Sequence, residues 1–282
     1  MPELPEVETV RRQLSETLIG KKIKKIEVSR TKSFNGDPDK LIDWQVEKVG
    51  RKAKIIEIYF KNKKDMLIVH LKMTGQLVFV DGDKRVVGGH PTADWVKDLP
   101  SKHTRVTIGF VDGSSLFFND MRVFGWIKLT NKEKYEKGIK SMAPDVTENE
   151  FSLDYLSKIL KNSRRAIKLI LMDQTKIGGV GNIYANDALY LAKVRPDRKA
   201  NSLTSKETKK IYEGVKEVIA KGIKYGGASA ANYVDTKGMG GTYQDHFLVY
   251  KKEGQRCKKC GEKIQKIKIG GRGTFYCPVC QK

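Results

Sequence analysis

Three observations in this 282-residue sequence predict an α+β fold in two domains. The first is a series of short segments between residues 23 and 129, rich in branched and aromatic side chains: IKKIEV, AKIIEIYF, MLIVHL, QLVFV, TRVTIGFV, SLFF and GWIKL. Gly, Asp, Asn or Lys clusters separate them, which is the pattern of an antiparallel β-sandwich. The second is a switch, past residue 147, to apolar residues at helical spacing in FSLDYLSKIL, RRAIKLILM, NIYANDALYLA and SKETKKIYEGVKEVIAKGIKYG. The third is a pair of Cys-x2-Cys knuckles, Cys257 with Cys260 and Cys277 with Cys280, separated by sixteen residues.

A helix opens the sandwich. Leu4, Val7, Val10, Leu14 and Leu18 share one face of a helix from about residue 3 to residue 18, Arg11 and Arg12 lie on its polar side, and Gly20 stops it. This helix and the strands make a first domain over residues 1–130. A charged stretch from Thr130 to Lys140, followed by MAPDV, marks a linker over residues 131–147. The helical domain takes residues 148–250, and its KIGGVGNIYAND break brings three glycines and Asn182 to a helix start, where backbone N–H groups meet anions. Residues 226–246, GGASAANYVDTKGMGGTYQDH, bury too little surface to be rigid and read as a disordered connector or a mobile loop. Residues 251–282 read as a zinc-bearing β-hairpin. Four thiolates at this spacing close one tetrahedral Zn2+ site and leave no open position for catalysis, so the metal is structural.

Lys plus Arg number 55 against 33 Asp plus Glu, and the formal net charge of +22 is the footprint of a polyanion binder. Nucleic acids, ribosomes and anionic membranes all qualify. No stretch reaches the roughly 20 consecutive apolar residues that span a bilayer, and no basic-then-apolar leader opens the chain, so we expect a cytoplasmic protein without a membrane partner. All four cysteines lie in the last segment, which argues against a disulfide framework spread through a secreted fold.

Several positions carry two chemical readings each. Pro2 is small enough to permit removal of Met1, which would leave a secondary amine. An α-amino group titrates near about pH 8, so part of it is unprotonated and nucleophilic at neutral pH. Such an amine attacks an aldehyde-like carbon and forms an iminium that draws electrons from the bond being broken. Glu3 and Glu6 follow at once and can handle the protons. A plain helix start, with proline and acids in the first turn, explains the same residues. Lys54, before an apolar run, is otherwise a solvated lysine at a strand entry. His70 and Met73 flank a turn at Thr74 and Gly75, where methionine is either core filler or a wedge. His103 lies in SKHTRV. NDMRVFGW sets Phe124 beside Arg122, either a stacking wedge next to a phosphate or base-edge donor or a buried core ring. Arg272, at a glycine-flanked hairpin tip, suits a bidentate contact to phosphate.

From Pro2 to the last knuckle, in order, these segments resemble the bacterial formamidopyrimidine-DNA glycosylases. PELPEVETVRRQL is similar to the family's start, RKAKIIEI to its lysine-bearing strand, HLKMTG to its HLxMxG turn and KIGGVGNIYAND to its helix-two-turn-helix motif. The resemblance implies that Pro2 is the nucleophile, Glu3 a proton donor and Lys54 catalytic. It implies that Met73, Arg122 and Phe124 fill the gap left by an extruded nucleotide. Asn182 would contact the DNA backbone, with Arg164 and Lys168 flanking the same groove, and the 226–246 loop would cover the extruded base. Arg272 would hold the lesion phosphate and take part in the final elimination. The chain departs from the family's DPRRFG, with Met121 in place of the proline and Val123 in place of the second arginine, which removes one cationic side chain.

The implied activity is base excision by a nucleoid-associated monomer. It would remove oxidised purines such as 8-oxoguanine and formamidopyrimidines from double-stranded DNA bound in a basic cleft between the two halves, then cut the abasic site by β,δ-elimination. Two rivals remain open. An endonuclease VIII-like enzyme shares the amine chemistry but prefers oxidised pyrimidines; the PELPEVET start and the long covering loop favour purines. A non-catalytic zinc-ribbon DNA-binding protein shares composition and ribbon, and only Pro2, Glu3 and Lys54 argue against it.

Overall fold

The computed structural model describes residues 1–89, 98–140, 142–228 and 241–282. They divide into one unit of Met1–Ser141 with Tyr225–Thr242 and another of Met142–Lys224 with Tyr243–Lys282. In the first unit, helix α1 (Leu4–Leu18) precedes two five-stranded sheets. One sheet runs β1 (Ile23–Val28), β8 (Thr104–Phe110), β9 (Ser115–Asp120), β6 (Gly75–Asp81) and β7 (Lys84–Gly89). The other runs β2 (Phe34–Asn35), β10 (Trp126–Asn131), β5 (Asp65–His70), β4 (Ile55–Phe60) and β3 (Val46–Lys52). All neighbours are antiparallel except β2 and β10, a two-residue parallel pairing.

Strands β3 and β7 have no counterpart among the apolar segments of the sequence. Among the described residues both end their sheets, and such end strands carry charge, here VEKVGRK and KRVVGG, because one backbone edge has no strand partner there. Helix α1 packs on both of them and so covers the side where two sheet edges would otherwise lie open. Its Val7, Val10, Leu14 and Leu18 are 1–2 % exposed in a core shared with Ile56, Val69, Leu77 and Phe118. Each such side chain contributes about 1.5–3 kcal/mol relative to exposure. The approach is close enough that a Cβ on Gly88 of β7 would lie 2.6 Å from Val10 Cγ2.

Within the stretch read as linker, Lys132–Lys140 forms a helix, α2. Its Tyr135 packs with Met66 and Ile68 of β5, the residues alternating with the core-facing Leu67 and Val69. The second unit contains α3 (Leu153–Lys161), α4 (Ile167–Leu171), α5 (Asn182–Ala192), α6 (Ser205–Lys224) and a hairpin of β11 (Gln265–Ile269) and β12 (Arg272–Tyr276). Ser152 Oγ caps α3 by accepting the Tyr155 N–H at 3.1 Å. RRAIKLILM yields only the five-residue α4, because Ala166 is extended and pairs with Lys199. Helices α5 and α6 meet at Gly214, where a Cβ would lie 2.8 Å from the Ala188 carbonyl oxygen. Most of the expected covering loop, residues 229–240, lies outside the described residues. Its two ends meet as an antiparallel bridge between Ala228 and Thr242. No helix among the described residues is long and apolar enough to cross a membrane.

The polar face of α1 is tied to the β3–β4 turn. Glu8 accepts hydrogen bonds from Arg11 at 2.7 Å, Arg12 at 2.9 Å and Arg51 at 3.1 Å, and Arg51 Nη1 also donates to the Ala53 carbonyl at 2.9 Å. Burial alone would raise the Glu8 pKa, but these three guanidinium groups hold it at about 2. A carboxylate depressed in the fold contributes stability that is complete above its ordinary value of about 4.5 and lost as pH falls through 2. Glu8→Gln should therefore destabilise the protein by about 2 kcal/mol near neutral pH. The gap from wild type should narrow steadily below pH 4.5. Urea unfolding at neutral and acid pH checks this, and a gap independent of pH would refute the assignment.

Candidate active site and nucleic-acid interface

The N-terminal site is built by the first turn of α1. Pro2 is buried, Glu3 is 3 % exposed, and Met1 is 46 % exposed ahead of them. Glu3 is the N-cap in a capping box in which Glu6 Oε2 accepts the Glu3 N–H at 2.7 Å. The other oxygen of Glu6 accepts the Ala228 N–H at 2.6 Å. One buried carboxylate thus holds both the N-terminal residues and the start of the 226–246 stretch. Gly227, at φ +84°, must lack a side chain there, since a Cβ would lie 2.8 Å from Glu6 Cγ. The geometry makes Glu6 a clamp on two backbone N–H groups.

Lys54 occupies the two-residue turn between β3 and β4, after Ala53 at φ +50°, and is only 4 % exposed. The solvated-lysine alternative does not hold. Arg51, bonded to both Glu8 and Ala53, fixes this turn against α1. His70 ends β5 opposite Ile55, next in sequence to Lys54. Burial, and then the positive charges of Lys72 and Lys54, press its pKa down to about 3. Its Nδ1 accepts the Lys72 N–H at 3.0 Å, so the neutral ring carries its proton on Nε2 as a donor.

Met73 is half-buried in the turn between β5 and β6. Phe124, in the loop joining β9 to β10, is 51 % exposed, which excludes the core reading. The Arg122 guanidinium sits 4.6 Å from the centre of its ring. Between them Val123 adopts φ +53°, a left-handed conformation strained for a β-branched residue. His103 is half-buried in the turn before β8; burial, with Lys102 and Arg105, lowers its pKa.

In the second unit Arg164 is exposed just before α4. Lys168 corrects the sequence expectation. It is wholly buried, and its Nζ donates to the Gly273 carbonyl at 3.1 Å and Thr274 Oγ1 at 2.6 Å, so it braces the hairpin instead of flanking a groove. A long apolar stem between α4 and β12 lets a lysine do this. Asn182 opens α5, and its Nδ2 also donates to the Gly273 carbonyl, at 3.2 Å. The glycine turn before it is held by Gln174, which accepts the Gly179 N–H at 3.0 Å and donates to the Val180 carbonyl at 2.7 Å. Helix α5 starts at Gly181 without a side-chain cap, the arrangement that suits an anion at a helix N-terminus.

The ribbon is keyed to α5 by residues that sequence reasoning missed. Asn186 Oδ1 accepts the Phe275 N–H at 2.7 Å, and Tyr190 Oη lies 3.2 Å from Cys257 Sγ. Asp187, fully buried, accepts the N–H groups of Leu248, Val249 and Tyr250 at 3.1, 3.0 and 3.2 Å. Burial raises its pKa to about 6 against those donors. An aromatic series, Tyr184–Tyr243–Phe247–Tyr250–Phe275, runs from α5 to the hairpin with centroid spacings of 4.9, 5.7, 5.1 and 5.4 Å. Arg272 stands exposed beyond Gly270 and Gly271, next to the braced Gly273. The Sγ atoms of Cys257, Cys260, Cys277 and Cys280 lie within 4.8 Å of one another. Zn–S bonds of about 2.3 Å in a tetrahedron require S···S separations of roughly 3.8 Å, so the donor set fits one structural zinc ion.

Two outcomes follow from this geometry. Phe124→Ala should melt within a few degrees of wild type, whereas truncating a core phenylalanine costs about 3–5 kcal/mol; a large drop in Tm would refute the exposed placement. A chelator strong enough to strip the zinc should unfold the ribbon and displace Arg272, with loss of DNA affinity in a binding titration. Full affinity after stoichiometric zinc release would show that the ribbon plays no part in binding.

Family models match along the chain: the formamidopyrimidine-DNA glycosylase N-terminal domain over residues 1–127, the formamidopyrimidine-DNA glycosylase H2TH domain over 142–233, and the zinc finger found in FPG and IleRS over 254–282. The formamidopyrimidine-DNA glycosylase of Pelotomaculum thermopropionicum is 39 % identical, covering 100 % of this chain and 99 % of that protein. That of Listeria innocua is 38 % identical over 100 % of both. A mutant of the Lactococcus lactis FPG in complex with a Fapy-dG-containing DNA superposes with TM-score 0.88 at 32 % identity over 100 % of both chains. The same protein with an abasic-site DNA gives 0.87 over 99 % of both. With all three domain types in order and such relatives along its whole length, the chain belongs to the formamidopyrimidine-DNA glycosylase family, DNA glycosylases of base-excision repair.

Proposed function

We propose that this glycosylase removes oxidised purines, 8-oxoguanine and formamidopyrimidines, through a Schiff base on Pro2 and then cuts the abasic strand by β,δ-elimination. The observation that carries the reading is the buried first turn of α1, where Pro2 and Glu3 are held by the Glu6 clamp. Once Met1 is removed, the Pro2 nitrogen has a lone pair. It attacks C1′ of the extruded nucleotide; the C1′–base bond breaks with its electron pair leaving on the base, and a proton neutralises that base. The Pro2 nitrogen, protonated by the attack, releases its N–H proton to water, and Glu3 protonates the sugar ring oxygen as the ring opens, leaving an iminium between Pro2 and C1′. The iminium acidifies the C2′ proton. Its loss expels the 3′ phosphate, and a second elimination expels the 5′ phosphate. Lys54, an amine held almost out of water, is the proton donor for the leaving base. Arg272 meets the lesion phosphate and assists the last elimination.

The remaining residues serve binding and opening of the duplex. Extrusion is required because C1′ and the damaged base are inaccessible within the stack. Met73, Arg122 and Phe124 replace the lost stacking, and the exposed, mutually stacked Arg122–Phe124 pair suits that task. His70 Nε2–H, His103, Arg164 and the Asn182 end of α5 contact phosphates. The partner is double-stranded DNA with an oxidised base or abasic site, bound by a monomer in the bacterial cytoplasm. A solved complex of the wild-type Lactococcus lactis FPG contains an oxidised pyrimidine, so substrate preference is decided by competition between 8-oxoguanine and thymine-glycol duplexes.

Borohydride reduction in the presence of lesion DNA should trap a covalent adduct with wild type, while Pro2→Gly should lose most excision and still bind the duplex. An unchanged adduct yield from a preparation that retains Met1 would overturn the mechanism, because Pro2 would then be an amide nitrogen without a nucleophilic lone pair.

A further inference from the structure

We propose that Asp120 is the positioning residue that presents Met73, His103, Arg122 and Phe124 as one rigid unit, with Thr74 as its partner. This rests on the reading that Met73, Arg122 and Phe124 fill the gap in the opened duplex. Asp120 ends β9 and is wholly buried. Its Oδ1 accepts the Thr74 hydroxyl, and it also accepts the Arg122 N–H at 3.2 Å, a donor shared with Thr74 Oγ1 at 3.1 Å. Its Oδ2 accepts the Phe124 N–H at 2.8 Å and the Gly125 N–H at 2.6 Å. The backbone of Asp120 donates to the His103 carbonyl at 2.9 Å and accepts from Arg105 Nε at 2.7 Å. One residue therefore bonds to the two turns that carry the expected fillers and to the turn that carries His103.

Glycines make the arrangement possible. A Cβ on Gly125 would lie 2.8 Å from Phe118 Cζ, 3.0 Å from the His70 carbonyl oxygen and 3.1 Å from Asp120 Oδ2. A Cβ on Gly75 would lie 2.3 Å from the Leu71 carbonyl oxygen, whose bond from the Gly75 N–H at 2.8 Å closes the Met73 turn. A buried carboxylate is costly unless its lone pairs are filled, and here N–H and O–H donors from two different loops fill them. The same bonds explain how Val123 keeps its strained φ: the N–H groups on either side of it, Arg122 and Phe124, are both anchored, which over-determines the backbone between them. A wedge must be rigid before it meets DNA, since ordering it on binding costs free energy.

The test uses the full chain with Thr74→Val, which removes the hydroxyl at nearly constant volume, Thr74→Ser, which restores it, and Asp120→Asn. Excision from a lesion duplex should slow by about tenfold or more in Thr74→Val and Asp120→Asn. Lyase action on a pre-formed abasic site in single-stranded DNA should stay close to wild type, and Thr74→Ser should recover duplex excision. Amide hydrogen exchange of Phe124 and Gly125 should quicken in the two impaired variants. Phe124→Ala, run alongside, judges the underlying reading: if it spares duplex excision the gap-filling role fails, while the exchange data still judge the anchor. Unchanged exchange in Asp120→Asn overturns the proposal. So does an equal loss on both substrates in step with a lowered Tm, the mark of a residue that serves folding alone.

Discussion

A chain terminus ordinarily frays, and the chemistry proposed for this protein requires that its terminus does not. The interaction that holds it is the Glu6 carboxylate, which accepts the Glu3 N–H with one oxygen and the Ala228 N–H with the other. Helix α1 supplies the rest of the restraint by covering the end strands of both sheets with its apolar face. From its polar face the Glu8–Arg51–Ala53 connection runs to the turn that carries Lys54. The first turn of α1 and the Lys54 turn are therefore both held by carboxylates of the same helix, Glu6 for the one and Glu8 through Arg51 for the other.

The second unit solves a different problem, the orientation of an exposed hairpin with little core of its own. Zinc closes the knuckles, but a closed knuckle could still swing. Helix α5 prevents this with Asn182, Asn186, Asp187 and Tyr190, which bond to the hairpin, to the segment before it or to a zinc ligand. Lys168 joins them from α4, and its burial is the reason a cation expected at DNA is found inside the protein. Both Lys168 and Asn182 converge on the carbonyl of Gly273, so the residue after Arg272 is the best-braced point of the hairpin. The phosphate contact proposed for Arg272 would start from that base.

The loop between β9 and β10 shows how exposure and rigidity coexist. Phe124 and Arg122 stand out from the surface and stack on each other, while the backbone beneath them is fixed by a buried carboxylate. Val123 occupies a strained conformation where the family motif has arginine, and the flanking anchors hold it there. Exposure and order are separated in space: the Arg122 and Phe124 side chains are outside, and the carboxylate that orders their backbone is inside.

The sequence by itself determined the family, through the resemblance of PELPEVETVRRQL and the motifs that follow it, and the sandwich and zinc ribbon, because short branched and aromatic segments, helical periodicity and cysteine spacing are local signals that survive without coordinates. It placed α1 and α5 to within a residue and identified the zinc ligands. It missed β3 and β7, whose charges hide strand character at sheet edges, and the helix Lys132–Lys140, whose polar stretch reads as linker until Tyr135 is seen against β5. Only the tertiary structure decided that Phe124 is exposed, that Lys54 is buried in a turn and Lys168 beneath the hairpin, and that Glu6 clamps Ala228. The physical reason is common to all of them. Burial and hydrogen bonding belong to pairs of residues far apart in the chain, 222 positions for Glu6 with Ala228 and 46 for Thr74 with Asp120, and no local pattern encodes such a pairing.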